Sequence, residues 1–168
     1  IGVYECQLKS YYKSTILYTI FVKKYVLKNF NPLENLLVEK GFSKIKLHII
    51  PSNHYRIIAK INFKKGWFIV DTGASTTIVS KTAIYKFKLE LEAQKMKAHG
   101  AGADEIEAQI SKNNQLNIGD FEFKKLNIAL IDLGPINEAF KSFGLASIDG
   151  VIGADILKKG KAIIDYER

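Results

Sequence analysis

The sequence predicts a mostly β domain of roughly 130 residues with two or three short helices. Many short apolar segments alternate with polar residues at a period of two, which is the pattern of half-buried strands. Clusters of Gly, Pro, Asn, Asp and Lys separate these segments at the spacing of hairpin turns. A chain of 168 residues fits one domain with an appendage. We therefore divide the chain into an N-terminal extension, residues 1–30, and one domain, residues 31–168.

Composition indicates an ordinary globular protein, with 47% hydrophobic and 25% charged residues. The net charge of +8 is concentrated in the N-terminal third. Residues 1–50 hold eight Lys against three Glu, a surplus of five, which leaves a surplus of three for the remaining residues. Because the domain itself is nearly balanced in charge, we do not expect it to bind nucleic acid.

The chain offers no metal-binding pattern. Cys6 is the single cysteine, which excludes an intrachain disulfide and a thiolate metal site. His48, His54 and His99 do not have the spacing of zinc ligands. We therefore expect no metal and no cofactor, and the cysteine content favours a cytoplasmic protein.

Residues 1–30 do not have the pattern of the domain that follows. The apolar run 16–22 ends at Lys23 and Lys24, far short of a membrane span. A basic helix lying on a membrane surface is one interpretation. We favour the other, a loosely attached segment or upstream sequence that is not part of the working protein.

The domain is predicted to begin with a short helix. Asn31, Pro32 and Glu34 occupy the positions of an N-cap, a first helical residue and a capping-box acid, and Gly41 supplies the end. Alternation then predicts strands at 45–49 and 55–63, with a turn at 64–66 and a return strand at 67–71. Further expected elements are a strand at 77–80, a helix at 81–87 capped by Ser80, a hairpin within 95–110, strands at 116–118 and 121–133, a helix at 135–143, and a closing strand at 162–166.

The candidate site is the turn after residue 70. The apolar run 67–70 is typical of a core strand and delivers the carboxylate of Asp71 at its end. Gly73 allows a sharp turn that brings backbone amides close to that carboxylate, and Thr72 and Ser75 add hydroxyl groups. The alternative is that Asp71 merely ends a strand and caps the turn.

Two motifs in this order resemble those of the retropepsin-like aspartic proteases, the single-lobe relatives of pepsin. Residues 71–75 read Asp-Thr-Gly-Ala-Ser, and residues 151–157 read Val-Ile-Gly-Ala-Asp-Ile-Leu. The resemblance covers residues 45–167 and is greatest to the small bacterial members. It implies a closed, barrel-like retropepsin fold that acts as a two-fold homodimer.

The resemblance also implies roles in catalysis. Asp71 is expected to be the catalytic acid, paired with Asp71 of a second subunit. Thr72 is expected to brace the two turns, and Gly73 to donate a backbone N–H toward the carboxylate, in the turn that Ala74 and Ser75 complete. The flap that closes over a peptide is expected at Gly100, Ala101 and Gly102.

The second motif is expected to be structural. In the resemblance, Val151, Ile152 and Gly153 pack beneath the catalytic turn, and Asp155 corresponds to a structural polar position. One Asp-Thr-Gly supplies one carboxylate, while peptide hydrolysis without a metal needs both a base and an acid. We therefore expect a homodimeric aspartic endopeptidase that takes a peptide or protein substrate. The alternative is a catalytically silent domain that binds a peptide or a partner protein in the same cleft.

The division at residue 31 predicts that the extension is dispensable for folding. Deleting residues 1–30 should leave the thermal unfolding midpoint of the domain nearly unchanged, because their pattern does not match that of a packed element. A loss of several degrees in a thermal melt, or insoluble protein, would contradict this division.

Overall fold

The computed structural model describes residues 32–93, 96–99 and 105–166. The chain forms two compact units, Ile1–Lys44 and Ile45–Arg168. In the described part of the first unit, α1 (Pro32–Glu39) begins at the predicted proline and ends before Gly41, whose φ is +82°. Lys44 forms an ion pair of 2.7 Å with Glu34. The predicted helix is therefore confirmed, while its N-cap residue lies outside the described residues.

The second unit contains the sheet and three short helices in its described part. The strands are β1 (His48–Ile49), β2 (Tyr55–Ile61), β3 (Lys64–Val70), β4 (Ile78–Ser80), β5 (Met96–His99), β6 (Glu105–Ile118), β7 (Phe121–Ile131) and β8 (Gly150–Ile152). The helices are α2 (Ile84–Phe87), which follows a 3-10 turn at Lys81–Ala83, α3 (Gly134–Ser142) and α4 (Ala154–Lys159).

The sheet closes into a barrel. Its strand order is β1-β2-β3-β8-β4-β7-β6-β5, and β2 also pairs with β6. The extra pairing joins β2, β3, β8, β4, β7 and β6 into a ring. Two pairings are parallel, β3 with β8 and β4 with β7. The predicted mostly β, barrel-like fold with a few short helices is confirmed; a single chain does not test the predicted dimer.

The alternation of apolar residues fills two cores on opposite faces of the sheet. Phe68 lies in the larger core and its neighbour Ile69 in the smaller one. The larger core takes side chains from most strands of the ring. The smaller core packs α3 against the sheet through Phe140. The period-two pattern of β3 therefore places its side chains alternately in the larger and the smaller core. Packing on both faces fixes the position of the C-terminal end of β3.

The turn of the β2–β3 hairpin differs from the prediction. Residues 64–66 are not a turn but the start of β3, and the loop consists of Asn62 and Phe63, with Ile61 paired to Lys64. Both loop residues have positive φ, 46° and 67°, as in a type I′ turn. Gly66 is needed for close packing, because a Cβ there would lie 2.6 Å from the Phe87 ring.

The predicted closing strand at 162–166 is also wrong. These residues form no ladder with any described strand, and Ile163 is 54% exposed. An alternating pattern becomes a strand only where a partner strand satisfies its backbone N–H and C=O groups. The predicted strand 45–49 is likewise reduced to the two residues of β1. By contrast, the predicted hairpin within 95–110 is confirmed by the pairing of β5 with β6, and its tip lies outside the described residues.

The hairpin loop predicts an unusual gain of stability. Phe63→Gly should raise the free energy of unfolding by about 0.5–1 kcal/mol, because relief of the left-handed conformation exceeds the entropy of the added glycine. The unfolding midpoint should rise by a few degrees in a thermal melt.

Phe143→Gly is the matched control for this variant. Phe143 is similarly exposed but has a φ of −95°, so the same substitution relieves nothing there. Equal effects of the two substitutions would show that the loop conformation is not strained.

Candidate active site

The Asp71 turn begins where β3 meets β8. Val70 pairs with Ile152 in a parallel ladder, and the next backbone N–H, that of Asp71, donates to the Ile152 carbonyl at 3.1 Å. The N–H of Gly73 then donates to Oδ1 of Asp71 at 2.8 Å. The carboxylate is exposed at the end of β3, and the backbone of its own turn contacts one of its oxygens. One of its oxygens is thereby oriented by the backbone, as the resemblance implies for Gly73.

The second motif packs directly under this turn. A Cβ at Gly153 would lie 2.7 Å from the Thr76 carbonyl carbon and 2.8 Å from the Ala74 oxygen, so only glycine fits. The following N–H, that of Ala154, donates to the Ala74 carbonyl at 2.7 Å. The sequence Val-Ile-Gly therefore provides a strand, β8, that aligns β3 and a glycine that lets α4 approach the turn.

Asp155 ties α4 to the end of the turn. Its Oδ1 accepts hydrogen bonds from the Thr77 N–H at 2.9 Å, the Thr77 hydroxyl at 2.7 Å and the Ile156 N–H at 2.8 Å. The Thr77 hydroxyl in turn accepts from the Gly153 N–H at 3.0 Å. The half-buried carboxylate is occupied by these donors, and its position is that of a structural group.

Thr77 is a residue that sequence reasoning missed. It was expected only as the first residue of a strand, yet it is 1% exposed and its hydroxyl bonds to two residues of the second motif. The available signal was a hydroxyl residue directly before an apolar strand, four residues after Gly73 of the Asp-Thr-Gly motif. Burial of such a group requires partners, and here Asp155 and Gly153 provide them.

Asp149 has a structural role at the opposite end of β8. Its Oδ2 accepts from the Trp67 N–H at 2.8 Å, and Lys86 donates to both carboxylate oxygens. In this ion pair the Asp149 side chain is largely buried and the Lys86 side chain is exposed. Asp149 therefore aligns β3 with the start of β8.

Asp132 forms a second turn of the same local geometry, which the sequence analysis overlooked. The Gly134 N–H donates to Asp132 Oδ1 at 2.8 Å, as in the Asp71 turn. However, Asp132 follows β7, whose last residue pairs with Ser80, and Ser80 bonds to Asp149. Asp132 thus lies at the edge where β8 starts, whereas Asp71 lies where β8 ends. The two carboxylates are at opposite ends of the sheet.

The remaining predicted positions differ in what the structure describes. Thr72 and Ser75 are exposed, Ala74 is half-buried, and no hydrogen bond joins either hydroxyl to Asp71 within the described residues. The predicted flap residues, Gly100, Ala101 and Gly102, lie outside the described residues. Among the described residues, no cluster of three or more His, Cys, Asp or Glu side chains is placed to hold a metal ion, and no helix is both long and apolar enough to cross a membrane.

The hydrogen bonds to Asp155 predict that the free energy of unfolding depends on its acceptor oxygen more than on its charge. Asp155→Ala should lower the free energy of unfolding by about 2–3 kcal/mol, because three donors around Thr77 and Ile156 lose their acceptor. Asp155→Asn keeps an acceptor oxygen in the same place and should cost about 1 kcal/mol or less. Urea unfolding of both variants measures the difference, and equal losses would show that charge, not the acceptor, matters at this site.

Comparison with known proteins places these motifs in a family. The family model described as "Aspartyl protease" matches residues 57–156, which include the Asp71 turn, Gly153 and Asp155. No curated protein matches the chain significantly.

Solved structures with a similar chain course include EIAV protease complexed with the inhibitor HBY-793, at 16% identity, covering 74% of this chain and 95% of that one, with a TM-score of 0.47. They include a retropepsin-like aspartic protease from Rickettsia conorii, at 21% identity, 74% and 91% coverage and a TM-score of 0.47. A third is the retroviral protease-like domain of Ddi1 from Leishmania major, at 18% identity, 67% and 81% coverage and a TM-score of 0.46. On the family match across most of its barrel, this chain belongs to the aspartyl protease family.

Proposed function

We propose that this protein is an aspartic endopeptidase whose active site forms from Asp71 of two identical subunits. The observation that carries the proposal is the exposed Asp71 carboxylate, fixed by the Gly73 N–H at the end of β3. This carboxylate belongs to the Asp-Thr-Gly turn within the segment that matches the aspartyl protease family.

A single carboxylate does not complete the reaction. Hydrolysis needs one group to remove a proton from water and another to protonate the carbonyl oxygen of the peptide. Two carboxylates held about 3 Å apart share one proton, because both cannot ionise easily. The ionised member accepts the water proton while the water oxygen bonds to the carbonyl carbon, and the protonated member supplies a proton to the carbonyl oxygen. The carbon–nitrogen bond then breaks, the amine leaves with the proton that the dyad took from water, and one hydroxyl of the tetrahedral intermediate returns its proton to the dyad, which restores the shared proton.

Three other aspartates of the same chain are not placed to supply the second member. Asp155 is occupied by Thr77 and Ile156, and Asp149 by Lys86 and Trp67. Asp132 lies at the opposite end of the sheet from Asp71. Asp71 of a second copy meets the requirement, since a two-fold axis beside the turn brings identical groups together.

In this dimer Thr72 braces one turn against the other, and Ala74 and Ser75 complete the turn. Gly100, Ala101 and Gly102, at the tip between β5 and β6, form the flap over an extended peptide. The peptide lies in the cleft between subunits and pairs with the backbone as an added strand.

A subunit-mixing experiment tests this proposal. Wild-type and Asp71→Asn proteins are combined in equal amounts and allowed to exchange, and cleavage of an unstructured casein-like substrate is measured. About one quarter of the dimers then carry two aspartates, so activity should fall to near that fraction of an all-wild-type sample. Independent monomers would keep about one half, since half of the chains stay intact.

Asp132→Asn is the matched control for the mixing experiment. It makes the same chemical change in a turn with the same hydrogen bond, at the other end of the sheet. Its mixtures should retain full activity. If wild-type protein cleaves no substrate while it still binds peptides, the domain is catalytically silent and the proposal fails.

A further inference from the structure

The loop between β2 and β3 holds an aromatic ring that the fold does not use. Phe63 is 72% exposed and has a φ of 67°, a backbone conformation in which a bulky side chain is strained. Glycine is the usual residue at the second position of such a turn. The ring packs in neither core and makes no ring contact within the described residues.

The loop is rigid at its base. The Asn62 N–H donates to the Gln115 carbonyl at 2.9 Å. The side-chain oxygen of Asn62 accepts from the Gln115 N–H at 3.0 Å. Its side-chain amide also donates to the Phe87 carbonyl at 3.0 Å and to Asn114 at 2.8 Å. Since Asn62 is hydrogen-bonded to two other segments, residues 114–115 of β6 and the end of α2 at Phe87, the backbone of the adjacent Phe63 is held in place.

Three lysines flank this loop along the chain, at the end of β2 and the start of β3. Lys60 and Lys65 are directly opposite each other on β2 and β3, and like charges in that arrangement destabilise a hairpin. Lys60, Lys64 and Lys65 are all exposed, and none forms an ion pair in the described part of the chain. We name Lys60, Phe63, Lys64 and Lys65 the tip surface.

The tip surface therefore breaks two local rules of stability at adjacent positions. It combines an aromatic ring at positive φ with a cross-strand pair of like charges. Local rules that are broken without a gain in packing are typical of functional sites.

We propose that the tip surface binds an anionic lipid bilayer. The exposed Phe63 ring enters the boundary between headgroups and acyl chains, and the lysines on both strands contact lipid phosphates and carboxylates. A protruding tip with one ring fits a planar surface. A single-stranded nucleic acid instead requires a groove with several stacking rings and favours Arg, which the tip surface lacks.

The position of the tip surface separates this contact from the Asp71 turn. The loop precedes β3 and Asp71 follows it, so the seven residues of β3 lie between them. This strand spans roughly 20 Å, at about 3.3 Å per residue. A protein bound through the tip surface holds the Asp71 turn away from the lipid. The lipid contact uses none of the residues of the Asp71 turn, and the inference therefore does not rest on the proposed peptidase activity.

Co-sedimentation of the full chain with vesicles tests the inference. Wild-type protein should bind vesicles of phosphatidylcholine and phosphatidylserine, and bind pure phosphatidylcholine vesicles much less. Phe63→Gly should weaken binding about tenfold, because the apolar ring is lost. Lys65→Glu should weaken it about fivefold or more.

Both variants should be at least as stable as wild type, which separates binding from folding. Phe63→Gly relieves the positive φ, and Lys65→Glu converts the like-charge pair with Lys60 into an attractive one. Thermal melts on the same samples check this, so weaker binding is not attributable to unfolding.

Matched controls use an exposed Phe and an exposed Lys elsewhere. Phe143→Gly and Lys141→Glu alter the C-terminal end of α3, whose Phe140 ring lies 6.0 Å from His54, beyond the other end of β2. These variants should bind vesicles as wild type does. The inference is overturned if wild type does not bind anionic vesicles, if Phe63→Gly binds unchanged, or if the controls lose as much. Phe63-dependent binding of a single-stranded oligonucleotide without vesicle binding would also overturn it.

Discussion

The acceptor oxygen of Asp155 is the atom on which the arrangement of the candidate active site depends. It accepts hydrogen bonds from the N–H and the hydroxyl of Thr77 and from the N–H of Ile156 in the first turn of its own helix. Because Thr77 also accepts from Gly153, its side chain holds the segment that follows the first motif against two residues of the second. The exposed Asp71 is positioned by this buried polar contact and by the β3–β8 ladder.

The sequence predicted the parts of the fold that local chemistry decides. Ser80 capping the turn before α2, Gly41 ending α1 and the apolar run of β3 all involve residues within a few positions of one another. The β2–β3 loop was misplaced because Lys-Lys-Gly has the composition of a turn. The actual loop is selected by bonds from Asn62 to Gln115, 53 residues away. The prediction of a strand at 162–166 was wrong because period-two patterning does not reveal whether a partner strand is available.

In the candidate site, too, features that depend on nearby residues were predicted, and features that depend on residues distant in sequence were missed. Asp71 and Gly73 were predicted because their hydrogen bond lies within one turn. Thr77 was missed because its function requires Asp155, 78 residues later. Asp132 was missed for the opposite reason: its turn has the same local geometry as that of Asp71, and only the strand order places it at the other end of the sheet. Local motifs therefore predicted the candidate residues, and strand topology showed where the other aspartates lie relative to them.

The parallel pairing of β3 with β8 also determines when the Asp71 turn becomes fixed during synthesis. β3 is made early and β8 among the last elements, yet residue 71 bonds to Ile152 and Ala74 bonds to Ala154. Contacts so distant in sequence form late, because a long loop must close first. A nascent chain that ends before residue 155 has the Asp-Thr-Gly turn without its support. The order of the strands thus delays the assembly of the candidate active site until β8 and the start of α4 have been synthesised.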